Sequence, residues 1–243
     1  MSQAKAAKQR GSFAESSWVI VQALVIALVI RTFLFQTFSI PSGSMEATLL
    51  VGDYLFVSKF SYGYTHFSLP FSPPLFSGRI LGSQPKRGDV VVFRLPRDNS
   101  IDYIKRVIGL PGDKIQMLDG LLYINGDAVK RERAEDYIDR EGYQPVRVKR
   151  WHETLPNGVS YETLDCLDNG FFDSTIVYAV PDGHFFALGD NRDNSTDSRM
   201  SQFGPVPFEN LIGRVSLIYY SRQAGDVDAA AHVRTGRIGT AVR

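Results

Sequence analysis

The chain is short of cysteine, of net charge and of histidine, and each shortage closes something off. Its single cysteine, Cys166, excludes an internal disulfide. With no histidine close to it in sequence, Cys166 reads as a small buried hydrophobe before it reads as a nucleophile. Lysine and arginine number 27 against 26 aspartates and glutamates, so no global basic field argues for a nucleic-acid partner. The four histidines, His66, His152, His184 and His232, sit in unrelated contexts. His184, inside an aromatic run, is expected in the core. Long apolar runs are scarce too. There is one near the start of the chain, and no later segment is apolar for long enough to cross a bilayer again.

What is present points to strands. With 243 residues the chain can hold one sizeable domain plus an appendage, or two small domains. Glycine at 21, proline at 12 and aromatics at 12% favour turns and strands over a helical bundle, so the fold class is expected to be mainly β.

Residues 1–17 are polar, with Lys5, Lys8 and Arg10 against Glu15. Trp18 to Phe38 follows, with Arg31 its only charge. As a helix this segment rises about 30 Å, enough for the hydrocarbon core of a bilayer. Thirteen Val, Ile, Leu and Phe residues stand against that one arginine. At roughly 0.3 to 0.6 kcal/mol each they outweigh a central charge costing about 3 kcal/mol. Arg31 also lies past the midpoint, where its side chain can snorkel outward. A cleaved secretory signal competes with this reading, but Phe33, Leu34, Phe35 and Phe38 crowd the place where small residues mark cleavage. Positive residues before the span and none shortly after it put the N-terminus in the cytoplasm. Residues 39–220 then form a domain on the far side, and 221–243, without periodicity, a flexible tail.

Within the domain, Tyr54-Leu55-Phe56-Val57, Val90-Val91-Val92-Phe93, Ile101 to Ile108 and Arg214 to Tyr220 read as strands, separated by turns such as Lys86-Arg87-Gly88-Asp89 and Leu110-Pro111-Gly112-Asp113. Residues 60–85, with Pro70, Pro73 and Pro74 among Phe67, Phe71, Leu75 and Phe76, form either a loop folded on the domain's own surface or a patch that dips into the bilayer surface. Leu121 to Ile124 meets an Asn125-Gly126 hairpin turn. Lys130 to Asp139 reads as a solvated charge run, and the strands at 146–151 and 159–164 flank the turn Pro156-Asn157-Gly158. The region of about 114–180 is expected to be a β-rich insertion that contributes no chemistry.

Three stretches carry the chemistry. Ser39-Ile40-Pro41-Ser42-Gly43-Ser44-Met45-Glu46 directly follows the apolar run. A tight loop of this kind can offer a serine oxygen and nearby N–H groups to one carbonyl, as acyl transfer requires. In the strand 101–108, a period of two puts Lys105 with Ile101, Tyr103 and Val107 on one face, and Asp102 and Arg106 on the other. An ammonium among apolar neighbours is costly, so the Lys105 pKa is expected to be depressed. Gly189 to Arg199 is a dense polar loop after the strand Phe185 to Leu188. As a calcium loop it lacks glycine at the sixth position and a closing glutamate, which leaves a solvated hairpin end or a buried Asp197–Arg199 pair beside a functional serine. A neutral lysine can serve a serine as histidine does.

Four segments in order resemble bacterial type I signal peptidases, membrane-anchored serine–lysine proteases that remove signal peptides from exported proteins. They are Pro41-Ser42-Gly43-Ser44-Met45 with Thr48-Leu49; Gly52-Asp53 through Lys59 to Gly63; Arg87 to Phe93 through Tyr103-Ile104-Lys105-Arg106 to Asp113; and Gly189 to Ser195 with Asp197-Ser198-Arg199. The resemblance implies an antiparallel β-sheet catalytic domain behind one transmembrane helix in a bacterial cytoplasmic membrane, with no cofactor and no metal. It implies Ser44 as nucleophile and Lys105 as general base. The Ser44 N–H and the Ser42 hydroxyl would form the oxyanion hole, and Ser195 would orient the lysine. An Asp197–Arg199 pair would brace the loop, and Gly189 would allow close approach. Phe38, Ile40, Tyr103 and Ile104 match positions lining pockets for alanine at the first and third residues before the cut. Ala47 stands where the family usually has proline, which bears on loop rigidity. A self-cleaving repressor shares the dyad but needs a DNA-reading module in front, and here the front is a membrane span. A pilus-specific relative would have one dedicated substrate, and a non-enzymatic, membrane-tethered β domain would use the same serines only as turn residues.

Overall fold

The computed structural model describes residues 2–139, 145–223 and 232–242. The chain opens with a helix, α1, over Ser2–Val29, which widens into a π-helical turn at Ile30–Leu34. Glu15–Leu34 is long and apolar enough to cross a membrane, and almost none of it is covered by the rest of the protein. The helix does not reach Phe38 as the apolar run suggests. Phe35-Gln36-Thr37-Phe38-Ser39 is instead a strand, β1, whose alternation turns Gln36 and Phe38 inward while Phe35, Thr37 and Ser39 stay exposed. Pairing to the neighbouring strand outweighs the last helical turn there.

The remaining strands follow in chain order. They are β2 (Asp53–Ser58), β3 (Val90–Leu95), β4 (Asp98–Gly109), β5 (Lys114–Leu118), β6 (Leu121–Ile124), β7 (Asp127–Ala128) and β8 (Lys130–Arg133). After these come β9 (Tyr137–Asp139), β10 (Val146–Thr154), β11 (Ser160–Asp165), β12 (Tyr178–Ala179), β13 (His184–Leu188), β14 (Val206–Pro207) and β15 (Leu211–Ser221). Among the described residues they form antiparallel sheets, the largest with seven strands in the order β1-β2-β15-β3-β4-β13-β14. The mainly-β expectation holds. The insertion builds two smaller sheets, β11-β10-β8 with β9 paired to β10, and β12-β5-β6-β7.

One core cluster joins Leu55 and Val57 of β2 with Val90 and Val92 of β3 and with Ile212, Val215 and Ile218 of β15; Ile40, Met45 and Leu49 plug its end. Another packs Val91, Phe93, Val107, Phe185 and Ala187 on the opposite side of the main sheet. Because both faces are covered, β4 is buried continuously from Lys105 to Gly109. Arg106, placed by periodicity on a separate face from Lys105, is therefore no more solvated than the lysine.

Several local expectations change. The 130–139 charge run is strand on both sides of its turn, and Arg131 is mostly buried against Asp165 at 3.0 Å. His184 is half-buried at the start of β13, its ring facing the Asp182 carbonyl, and is not a core residue. Cys166 is exposed. Residues 60–85 divide, with Tyr62 and Phe67 buried but Phe60, Phe71, Leu75 and Leu81 exposed. Of the expected flexible tail, 224–231 lies outside the described residues, whereas 232–242 folds back on the domain. Val233 bridges Arg222, Ala241 bridges Leu217, and Val242 enters the core.

Candidate active site

The loop after β1 is shaped by its small residues. Ile40 is tied to the start of β2 by its N–H on the Asp53 carbonyl at 2.9 Å, and its own carbonyl accepts the Gly52 N–H at 3.0 Å. Pro41 and Ser42 remain outside the core, and Gly43-Ser44-Met45 makes one 3₁₀ turn anchored by the buried Met45. Ala47 closes the turn with φ at 49°, in the left-handed region. Proline cannot adopt that angle, so the departure at this position is a different backbone and not a looser copy of a proline turn.

β4 brings Lys105 to this turn. Its Nζ donates to Ser44 Oγ at 2.6 Å and to the Ile104 carbonyl at 3.0 Å. Only 2% of Lys105 is exposed. Burial pushes its pKa down to about 8, against the upward pull of Asp197 and Asp190. This is the depression anticipated for an ammonium on an apolar strand face.

The loop after β13 supplies the other wall. Asn191 donates its backbone N–H to the Ser44 carbonyl and its side-chain amide to the Gly43 carbonyl, both at 3.2 Å. Gly189 has to be glycine, since a Cβ there would meet the Ser44 carbonyl at 2.5 Å and overlap Ser195. Asp197 and Arg199 form a buried fork, Nε to Oδ1 at 2.9 Å and Nη2 to Oδ2 at 2.8 Å. Burial opposes the Asp197 charge, but Arg199 and the Gly189 N–H hold its pKa below the usual carboxylate value. Ser195 departs from expectation. Its hydroxyl is buried beside Gly189 without a hydrogen-bond partner at proper geometry and makes no bond to Lys105, although it lies close enough to Asp197 to help keep that carboxyl ionised.

Two ion pairs escape sequence reasoning. Arg106, fully buried, grips both oxygens of Asp190 at 2.8 and 2.7 Å, and Thr48 donates to the same carboxylate at 2.5 Å. Arg192 does the same with Glu153 of β10. A second cation directly beside Lys105, in a strand stretch that is apolar from Val107 onward, is the available signal for the first pair. The second has no local signal.

A cleft of about 540 Å³ opens over Ser44 and Lys105. Phe38, Ile40, Tyr103 and Ile104 all line it, with Ser42 on its rim. Its floor is apolar because Phe38, Ile40 and Ile104 belong to one core cluster and Tyr103 to another. No group of three or more His, Cys, Asp or Glu among the described residues could hold a metal ion.

A buried lysine amine of lowered pKa against a serine hydroxyl, in a cleft on a β scaffold, is an arrangement suited to a hydrolase acting on acyl groups. Residues 13–220 match the model of the family described as signal peptidase, peptidase S26. The signal peptidase I of Rickettsia typhi is 46% identical over 217 residues, which is 86% of this chain and 79% of that protein. The Rickettsia massiliae enzyme is 46% identical over 226 residues, 89% of this chain and 81% of its own. A crystal structure of a signal peptidase I from Enterococcus faecalis superposes with a TM-score of 0.32 at 30% identity, covering 54% of this chain and 97% of that one. The chain belongs to the signal peptidase I family of peptidases.

Proposed function

We propose that this protein is a membrane-anchored serine endopeptidase that removes N-terminal signal peptides from exported preproteins, with Ser44 as nucleophile and Lys105 as general base. The observation that carries the proposal is the 2.6 Å contact between Lys105 Nζ and Ser44 Oγ in a buried setting. Ser44 Oγ attacks the scissile carbonyl and passes its proton to Lys105. The Ser44 N–H and the Ser42 hydroxyl take up the charge that develops on the carbonyl oxygen. The protonated lysine then gives its proton to the departing amine, freeing the mature protein. The signal peptide stays esterified to Ser44 until a water, deprotonated by Lys105, releases it.

Phe38, Ile40, Tyr103 and Ile104 line the cleft beside the nucleophile with apolar side chains, which suits alanine at the first and third residues before the cut. Asp197 with Arg199, and Gly189 at the close approach, support the site and take no part in the chemistry. The segment 18–34 anchors the chain in the bacterial cytoplasmic membrane, N-terminus inside. The catalytic domain then stands on the outer, periplasmic side, where the cleavage region of a signal peptide emerges. No cofactor is required.

The test is incubation of the detergent-solubilised full chain with a preprotein, beside Ser44→Ala and Lys105→Ala. Cleavage by the wild type and none by either folded variant is expected. Normal turnover by Lys105→Ala would overturn the assignment.

A further inference from the structure

A second cavity, of about 280 Å³, lies between the last turn of the apolar N-terminal helix and the segment 67–72. Three cations line it: Arg31, Lys59 and Arg94. Among the described residues only Arg94 has an ion-pair partner, with its Nε 3.1 Å from Asp102. Lys59 is 3% exposed and donates to two carbonyls, Ser68 at 2.6 Å and Arg31 at 3.2 Å, so its positive charge has dipoles around it but no ion pair among the described residues. Burial pushes the Lys59 pKa down to about 8, and Arg31 and Arg94 push the same way against Asp102. Arg31 likewise makes no ion pair among the described residues. Lys59 is out of water, Arg31 is exposed, and among the described residues the three cations face one carboxylate, Asp102, so the cavity carries an excess of positive charge that an entering anion relieves.

The surroundings say what carries that anion. Arg31 stands near the end of Glu15–Leu34, at the depth where a spanning helix leaves hydrocarbon for the headgroup layer. The cavity lining is mostly polar, but Phe71 at its edge is fully exposed, and Phe33, Leu34 and Phe35 are exposed where the helix runs into β1. We propose that this cavity binds the phosphate of an anionic phospholipid, with Arg31 and Lys59 on the phosphate and the acyl chains running along the exposed aromatic residues. This rests on the reading that Glu15–Leu34 spans the bilayer and is independent of the role given to Ser44. Guanidinium and ammonium donors to phosphate form short, charge-assisted bonds, and the site would tie the catalytic domain to the headgroup layer at a second point besides its covalent anchor.

The test is native mass spectrometry of the full chain released from neutral micelles containing equimolar phosphatidylglycerol and phosphatidylcholine. Wild type should retain one phosphatidylglycerol in preference to phosphatidylcholine. Arg31→Gln, which changes an exposed side chain and should not disturb folding, should lower that retention about tenfold, the loss of one charge-assisted phosphate contact. Lys114→Gln removes an exposed charge on β5 of the insertion, which does not line the cavity, and should retain the lipid. Equal retention by wild type and Arg31→Gln would overturn the site. Equal loss in both variants would also overturn it, by reducing the effect to general charge attraction. Displacement by glycerol 1-phosphate at the same concentration as the lipid would make free phosphate the ligand and overturn the lipid assignment. Carbonate extraction of membranes reads the span separately, so failure of the anchor and failure of the lipid site are distinguishable.

Discussion

Arg192 donates to both carboxylate oxygens of Glu153, at 3.0 and 2.6 Å, and both side chains are cut off from solvent. The pair links the insertion to the loop that holds Ser44. Leu164 of β11 donates its N–H to the Asp190 carbonyl and accepts that of Arg192, both at 2.9 Å, while the intervening Asn191 holds the Ser44 and Gly43 carbonyls. The insertion, read from sequence as lacking any chemical part, thus supports the backbone that presents Ser44. Glu153→Gln leaves Arg192 charged and uncompensated in the interior. It should cost about 3 to 5 kcal/mol of stability by denaturant unfolding. Arg192→Met combined with Glu153→Leu should recover most of that. If Glu153→Gln unfolds at the wild-type denaturant concentration, the pair has no such role.

The Lys105 pKa near 8 sets a pH dependence. As the proposed general base Lys105 works only when neutral, so kcat/KM on a short peptide should rise about tenfold from pH 7 to pH 9. A profile flat across that range would show that another group is titrating. The same shift is a stability statement. The folded value of about 8 lies below the free lysine value of 10.5, so between them the unfolded state binds more protons and stability rises with pH. Below pH 8 the whole cost is present. Lys105→Met should therefore be inactive yet more stable than wild type by about 3 kcal/mol at pH 7, and no more stable above pH 10.5.

Gly189→Ala tests the close approach of the two loops. Its methyl would press on the Ser44 carbonyl, a backbone atom that cannot swing aside, and on Ser195. Displacement of about 1 Å at the nucleophile should lower the acylation rate about 100-fold. Labelling of Ser44 by an acylating probe, followed with circular dichroism as a check on folding, reads this directly. Wild-type acylation would mean that the loops are not in contact during turnover.

What the sequence makes legible and what it hides follow from the range of each interaction. Ser44 and Lys105 stand out because each contradicts its own neighbourhood, a serine in a proline-stiffened turn and a cation in an apolar alternation. Periodicity puts Arg106 on the face opposite Lys105 but cannot show that this face is covered as well, because the main sheet is packed on both sides. The Arg192–Glu153 pair joins residues far apart in sequence, with no local pattern at either end. The strand Phe35–Ser39 merges into the apolar run because its alternation is only one strand long and follows directly on the apolar helix. Hydropathy alone does not mark where helix gives way to sheet.

Ala47 offers a test of local strain. At φ of 49° an alanine carries roughly 1 kcal/mol of steric cost that glycine does not. Ala47→Gly should stabilise the fold by about 0.5 kcal/mol after the extra entropy of the unfolded glycine is counted. Ala47→Pro, which restores the family's usual residue, should destabilise it by about 3 kcal/mol, because the ring holds φ near −65°. Thermal unfolding of the two variants side by side decides it, and a stabilising proline would mean that the loop takes another backbone in solution.

The returning C-terminal segment fastens the far side of the same loop. Asp53, buried at the head of β2, accepts Arg237 Nη2 at 2.5 Å and the Ser221 hydroxyl at 2.6 Å, and its Oδ2 also caps the Leu50 N–H at 2.9 Å. Arg237 reaches on to the Thr48 carbonyl at 3.0 Å, and Thr48 in turn holds Asp190. A buried carboxylate that loses this guanidinium keeps its desolvation cost with only Arg234, 3.6 Å away, left to compensate, so Arg237→Ala should cost about 2 kcal/mol. In Asp53→Asn the buried group is neutral but can still accept from Ser221, and there the same arginine substitution should cost less than about 1 kcal/mol. A double-mutant cycle from denaturant unfolding measures the difference. Additive losses would show that Arg237 stabilises the protein by packing alone, leaving the segment 232–242 no electrostatic hold on the loop that carries Ser44.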